Sequence, residues 1–518
     1  METVATHSLL HLHLSHPFLL LLLLLLLLSL LLRVLLLFLR PQRTAASSTK
    51  LPLPPSSSRI PILGNLHQLG SLPHRTLRAM AARHGPIMLL QLGQVPALVV
   101  SSVDMAREVM KEQDHIFASR PSLKVPNMLL RDGRDVAFAP YGYYWRQVKK
   151  VSLLHLLSAK MVRSFRIVRR EEVARMTDEI SRSSSSGPVD VTGALKSLAN
   201  HIISRITLGS SSKQETWDRQ IEDVLGEAST LTGAFHAGDY FPSLRWLSRL
   251  SGMEDRVKRV LDVVDPILDE IIEKHSRRSW EDEREMDFVD ILLSLQEDPE
   301  MKRFISNETI KAIVMDMYAA GTESTHIVIE WAMAELIRNP GTMKKLQDEV
   351  RSVAGSKHTL EEDDLVNGMD CLRAVIKESM RLHPPGTLLL PRELIEETTI
   401  AGYRIPKGTR TFVNVWAIGR NPSIWEAPDD FRPERFLGSS VDYRGQHFEF
   451  APFGAGRRMC PGIGFSVTII ELALANLMLQ FDWKLRDGMK EEDMDMTEAF
   501  GVTTRIKSSL LLVATPRF

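Results

Sequence analysis

Cysteine is almost missing from this chain: 518 residues carry two, Cys371 and Cys460, and neither sits in a CxxC or Cys/His zinc spacing. A disulfide scaffold is thereby excluded, and a reducing compartment is implied for the bulk of the chain. Excess charge is missing too. Lys+Arg and Asp+Glu both total 64, which speaks against a bulk polyanion-binding protein and against nucleic acid as a partner. No repeat of 20–50 residues is present, so a solenoid is not expected. No GxGxxG follows a strand pattern and no GxxxxGK[ST] occurs, so the chain encodes no nucleotide-binding module. The 16 histidines show no convincing metal-ligand spacing, and His326 reads as structural. What is present is length, enough to bury a large core and enclose a cofactor.

Residues 18–39 are leucine-rich, interrupted only by Ser29 and Arg33. As a helix they would span roughly 33 Å, enough for the hydrocarbon layer, with Arg33 snorkelling toward the headgroups. No Lys or Arg precedes the run, whereas Arg40, Arg43 and Lys50 follow it. This asymmetry places the N-terminus across the membrane and the body in the cytosol. A cleaved signal peptide is the poorer reading, because a basic leader and a small-residue cleavage site are both lacking. The expected division is a membrane anchor at 1–40, a polar, proline-rich linker at 41–58 stiffened by Pro52, Pro54 and Pro55, and a catalytic body at 59–518.

Within the body, residues 86–101 are rich in Leu, Ile and Val around Gly93-Gln94 and read as a hairpin of a small sheet. From about residue 145 helical patterns dominate, with solvated breaks expected at the serine tract 182–188 and the basic-then-acidic run 276–287. One long helix is expected from an N-cap at Ser306 to a stop at Pro340, apolar nearly all round and so central. Its middle, Ala319 to Thr325, is small and polar instead of bulky. Gly321 there implies that something lies close against the backbone.

Phe453-Gly-Ala-Gly-Arg-Arg-Met-Cys460-Pro-Gly-Ile-Gly464 is a glycine-rich segment that delivers one cysteine to the start of a helical pattern. A helix N-terminus favours thiolate over thiol, glycines let amides approach the sulfur, and Arg458 adds positive charge. Cys371 reads as a buried helix residue without a role.

The segment resembles the haem-binding signature of cytochromes P450, FxxGxRxCxG, through Phe453, Gly456, Arg458, Cys460 and Gly462. Glu378-Ser-Met-Arg381 resembles the family's ExxR, Phe431 to Phe436 its FxPERF, and Ala320 to Ser324 its oxygen-activation motif. Residues 117–121 (FASRP), Tyr144-Trp145-Arg146 and 416–421 are similar in style to plant microsomal family 71 enzymes of specialised metabolism. The resemblance implies a mainly α fold with a smaller β-rich region, behind a single-pass transmembrane helix.

It also implies roles. Cys460 is the axial thiolate of haem b, the iron's only protein ligand, pushing electron density onto the metal. Trp145, Lys149, Arg392 and Arg458 match positions that hold the propionates, while Phe453 lies in the cofactor-binding signature; for Lys149 a solvent-facing charge is the competing reading. Glu378, Arg381 and Arg435 form a buried structural triad. Glu323 and Ser324 supply protons to dioxygen. Serine stands where the family commonly has threonine, keeping the hydroxyl with less restraint at χ1. Substrate contacts are expected after Pro121, at Ala320 and its neighbours, from Thr387 and Leu388 through Leu390, and from Ala499 through Phe500 to Thr503. The resemblance thus implies a monooxygenase acting with O2 on a small lipophilic substrate, with electrons from an NADPH-cytochrome P450 reductase, in the endoplasmic reticulum membrane with a cytosolic catalytic domain. Two alternatives stay open: a haem-thiolate isomerase or dehydratase that needs no redox partner, and a non-catalytic haem-binding membrane protein.

Overall fold

The computed structural model describes residues 19–30, 32–33, 51–209, 214–277, 286–486 and 488–518. The central helix runs Asn307–Arg338 as expected, and the Ser306 hydroxyl caps it by accepting from Thr309 N at 3.2 Å. Its apolar residues are buried along almost the whole length, packed against the helices Val191–Leu208, Asp370–Leu382 and Ile463–Gln480. Ala319 and Ala320, in the middle of this buried helix, nevertheless keep accessible surface because they face an internal cavity. The close neighbour of Gly321 is the side chain of Ile203: a Cβ there would sit 2.5 Å from Ile203 Cδ1.

The hairpin forms as Ile87–Leu92 and Val95–Val100, paired Leu92 with Val95 and turned at Gly93, whose φ is 61°. Arg410–Val413 adds in parallel to the second strand, and Arg392–Glu393 adds antiparallel to that, with Arg392 opposite Thr411. The register turns Arg392 inward, 3% exposed. A second hairpin, Glu498–Phe500 with Thr504–Ile506, carries the intervening loop to the cavity. A three-stranded sheet orders Val189–Asp190, Leu511–Pro516 and Phe481–Leu485. The architecture is therefore mainly helical with a smaller β region.

Two boundaries differ from expectation. The Arg166–Ser184 helix continues into the first residues of the serine tract, because serine is only mildly unfavourable on an exposed helix. The chain breaks only at 185–188. The second expected break lies largely outside the described residues, but the helix before it reaches Ser276. The proline segment from Leu51 lies on the body: Pro52 O accepts from Arg404 N at 2.8 Å and Pro55 O from Leu89 N at 2.9 Å. Of the leucine-rich run, the described part forms an exposed apolar helix at Leu19–Leu30, about 18 Å long at 1.5 Å per residue. The rest of that run, apart from Leu32 and Arg33, lies outside the described residues. Among described residues the helix long and apolar enough to span a membrane is Ile463–Gln480, and it is mostly buried in the core.

Candidate active site

A cavity of about 960 Å³ lies between the central helix and the cysteine loop. The loop is closed by Cys460 N donating to Phe453 O at 3.0 Å and Met459 N to Gly456 O at 3.1 Å. Gly456, at φ 70°, is required, since a Cβ would meet Met110 O at 2.1 Å. Asp114 then fixes the loop from outside, accepting from Arg457 N at 2.8 Å and from Arg392 at 3.2 Å. Cys460 stands just ahead of the Ile463–Gln480 helix, and its accessible surface is cavity wall.

Three influences act on the sulfur. Burial pushes the Cys460 thiol up, outweighing the Gly462 amide and the Lys149 charge, which both favour thiolate. Lys149, not Arg458, is the cation that acts on the sulfur, because the Arg458 guanidinium points away into the loop carbonyls of Ala118, Val136 and Ala139. Haem iron, when bound, would oppose that burial and favour the thiolate outright.

Beside the sulfur, Arg120, Arg392 and Arg458 are all buried at the cavity wall, with Lys149 at its edge. Burial lowers the pKa of each, and mutual repulsion adds to it: Arg458 and Arg392 act on Arg120, and Arg392 on Arg458, which falls to about 9. Lys149 falls to about 8, by burial and then by Arg458. Lys149 is neither free in solvent nor free of partners, since its ammonium donates to Arg457 O. Four crowded cations at one end of an apolar chamber suit a dianionic, otherwise apolar ligand. With a soft sulfur donor below and Phe453, Leu389 and Ala320 on the walls, these residues fit haem, its two carboxylates toward the cations. Trp145 differs from expectation in detail. Its indole N–H donates to Val136 O at 2.9 Å, and its ring stacks on Arg458 at 4.0 Å, so it positions the guanidinium.

On the central helix, both Glu323 oxygens accept from Ser229 Oγ, at 2.8 and 2.7 Å. Ser324 Oγ donates to Ala320 O at 2.7 Å, and Thr325 is paired with Ser466 at 3.0 Å. Glu323, Ser324, Ala320 and Phe500 all line the cavity. Thr387 and Leu388 do not. Thr387 bonds Thr504 at 3.3 Å and Leu388 packs into a separate apolar cluster. Leu389 adopts φ 52°, which breaks the strand-like alternation, so that of the expected Thr387–Leu390 stretch only the second half, Leu389 and Leu390, lines the cavity. Glu378, Arg381 and Arg435 meet away from the cavity, Glu378 accepting from Arg381 at 2.7 and 2.8 Å and from Arg435 at 3.0 Å.

Sequence reasoning missed three groups. Arg120 was visible only as the arginine of residues 117–121. Ser229 lies 94 residues from Glu323 and carries no local signal. Asp316 accepts from Val136 N and Ala137 N at 2.8 and 2.9 Å, pinning the loop over the cavity; burial and then Asp135 push its carboxyl up. A polar residue on an apolar helix was the available hint.

The family pattern described as Cytochrome P450 matches residues 54–513. Cytochrome P450 71A4 of Solanum melongena is 45% identical over 479 residues, covering 91% of this chain and 94% of that protein. Strychnine-11-hydroxylase of Strychnos nux-vomica is 48% identical, covering 90% of this chain and 91% of its own. (+)-Menthofuran synthase of Mentha piperita is 45% identical, covering 92% and 95%. Among solved structures, a zebrafish cytochrome P450 with progesterone superimposes with TM-score 0.73 at 24% identity, covering 86% of this chain and 99% of that one.

Proposed function

Because the chain belongs to the cytochrome P450 family and is a haem-thiolate monooxygenase, we propose that it oxidises small lipophilic specialised metabolites with electrons from an NADPH-dependent cytochrome P450 reductase. One observation carries the reading: Cys460 and the Glu323–Ser324 pair open on the same largely apolar cavity. Haem, when bound, supplies the oxygen chemistry, placing one atom of O2 in the substrate and releasing the other as water. Cys460 would hold the iron, and Arg120, Lys149, Arg392 and Arg458 the carboxylates.

The remaining work belongs to the chain. Ser229 orients the Glu323 carboxylate, which can hold a proton at either Oε. Ser324 Oγ, with its hydrogen on Ala320 O, presents lone pairs that can take a proton and pass it on. Leu389, Leu390, Phe138 and Val502 orient substrate by shape and exclude water. Glu378 and its two arginines brace the fold behind the site. Relatives named as a strychnine hydroxylase and a menthofuran synthase support alkaloid-like or terpenoid-like substrates.

The electron donor would dock where Arg146, Lys149, Lys150 and Arg457 rim a shallow hollow with Leu153 and Leu154, a basic and apolar face suited to an acidic partner. The exposed Leu19–Leu30 helix supports a single-pass anchor in the endoplasmic reticulum membrane, with the body in the cytosol. Microsomes carrying the chain and a reductase should convert a member of a terpenoid, steroid, phenolic, indole and oxime panel only with NADPH present. Turnover without NADPH would instead support the isomerase or dehydratase reading.

A further inference from the structure

Glu323 is half-buried, and among the described residues its carboxyl has one hydrogen-bond partner, the Ser229 hydroxyl, at 2.8 and 2.7 Å from its two oxygens. That hydroxyl has no other partner there. A long glutamate side chain samples many rotamers unless something holds it, so the direction of this carboxyl is set by a group on another helix. That helix, Gln214–Gly233, also lends Gly226, Ala228, Thr230, Thr232 and Gly233 to the cavity lining, so whatever fills the chamber bears on it. Its Trp217, Ile221 and Leu231 are buried in the core. It packs mainly on Met253–Ser276, where Arg256 joins Glu227 at 2.6 and 3.0 Å. Its end abuts the loop of the second hairpin, where a Cβ on Gly233 would sit 2.8 Å from Val502 N. Against the central helix it packs little, and among the described residues the Ser229–Glu323 bond is the hydrogen bond that joins the two. One hydroxyl thus ties the carboxyl to an element that faces the substrate.

We propose that Ser229 is a positioning residue that makes proton delivery by Glu323 depend on how substrate seats the Gln214–Gly233 helix. The inference rests on the reading of Glu323 as proton donor and adds its regulation. A substrate that fills the chamber holds the helix, the helix holds Ser229, and Ser229 holds both carboxyl oxygens, so the carboxyl keeps one direction through the transfer. A ligand too small to press on the helix leaves the carboxyl able to turn. O2 then takes the two NADPH electrons and two protons as hydrogen peroxide instead of oxidising substrate. Glu323 gives up a proton and regains one from water, while Ser229 keeps its own hydrogen throughout.

The test uses the haem-loaded full chain with reductase and, as probe, the panel member that the microsomes convert fastest. Ser229→Ala should keep haem content and thermal stability, since the hydroxyl serves only Glu323. Its product per NADPH should fall about fivefold, with hydrogen peroxide rising, a fraction of what an acid–base group itself contributes. Ser229→Thr keeps the hydroxyl and should stay within about twofold of the parent. The double variant S229A/E323Q should couple no worse than E323Q alone, because Ser229 acts through Glu323. Infrared difference spectra of the resting protein, parent minus E323Q, isolate the Glu323 carboxyl band. That band should shift when the probe binds to the parent or to S229T, and stay put in S229A. If E323Q uncouples while S229A stays within about twofold of the parent, the tether is refuted and Glu323 stands. A parent band that ignores the probe refutes it as well. Equal losses in S229A and S229T, with lowered thermal stability, make Ser229 merely structural and also refute it. Should S229A fail to load haem, Ser229→Gly removes the same hydroxyl and decides. If E323Q itself stays coupled, the Glu323 reading falls and the tether with it.

Discussion

Replacing Glu378 with alanine tests how the buried triad is held. Its carboxylate receives four donors: Arg381 Nε at 2.7 Å and a second Arg381 nitrogen at 2.8 Å, Arg435 Nε at 3.0 Å, and Arg432 N at 2.8 Å. The side chains of Glu378 and Arg381 are both 0% exposed. Arg381 also donates to Gly419 O, Pro428 O and Asp430 O, so it cannot swing to solvent without abandoning three carbonyls. Glu378→Ala therefore strands a buried guanidinium, at a cost of about 3–5 kcal/mol. Arg435→Ala leaves Glu378 with its other three donors and strands no buried charge; it removes the charged bond to Glu378, about 1.5–3 kcal/mol, together with the bonds to Glu426 O and Ala427 O at the partly exposed end of the guanidinium. Urea unfolding of the two haem-loaded variants against the parent, with unchanged slope, gives the ranking. Equal costs, or Arg435→Ala the more damaging, would refute this account of the triad.

Two further outcomes are expected. Ser324→Ala should leave haem content and stability nearly unchanged, since its hydroxyl bonds only Ala320 O, while product per NADPH falls and peroxide rises; Ser324→Thr should keep coupling, and an unchanged peroxide ratio in Ser324→Ala would leave the hydroxyl a mere helix bond. Burial pushes the Glu498 carboxyl up, but hydrogen bonds from His74 and Arg75 override it and hold the group at about 2. A depressed folded pKa stabilises above the ordinary carboxylate value and is lost as pH falls toward 2, so denaturation curves of the parent should lose more stability between about pH 4.5 and 2 than those of Glu498→Gln; parallel curves would contradict this.

The central helix and the hairpin were legible because their signals are local: Ser306 and Pro340 bound one, and Gly93 turns the other. The cysteine loop was legible because its glycines serve backbone positions, as Gly456 against Met110 O shows. Thr387 and Leu388 were misplaced because one left-handed residue, Leu389, reverses which side chains face the cavity, and no side-chain pattern announces it. The pairing of Glu323 with Ser229 and the pinning of the 136–137 amides by Asp316 join distant segments. Such contacts follow from tertiary packing and leave no period in the sequence. The thiol shift at Cys460 was likewise hidden, because burial depends on how much protein closes around the sulfur.

The difference spectrum of the reduced protein with carbon monoxide reads the sulfur–iron bond, on which the account turns. The parent should show the red-shifted Soret band of thiolate coordination, and Cys460→Ala should lose it while Cys371→Ala, whose side chain is not part of the cavity lining, keeps it. A red-shifted band that survives in Cys460→Ala would contradict the assignment of Cys460 as the haem ligand.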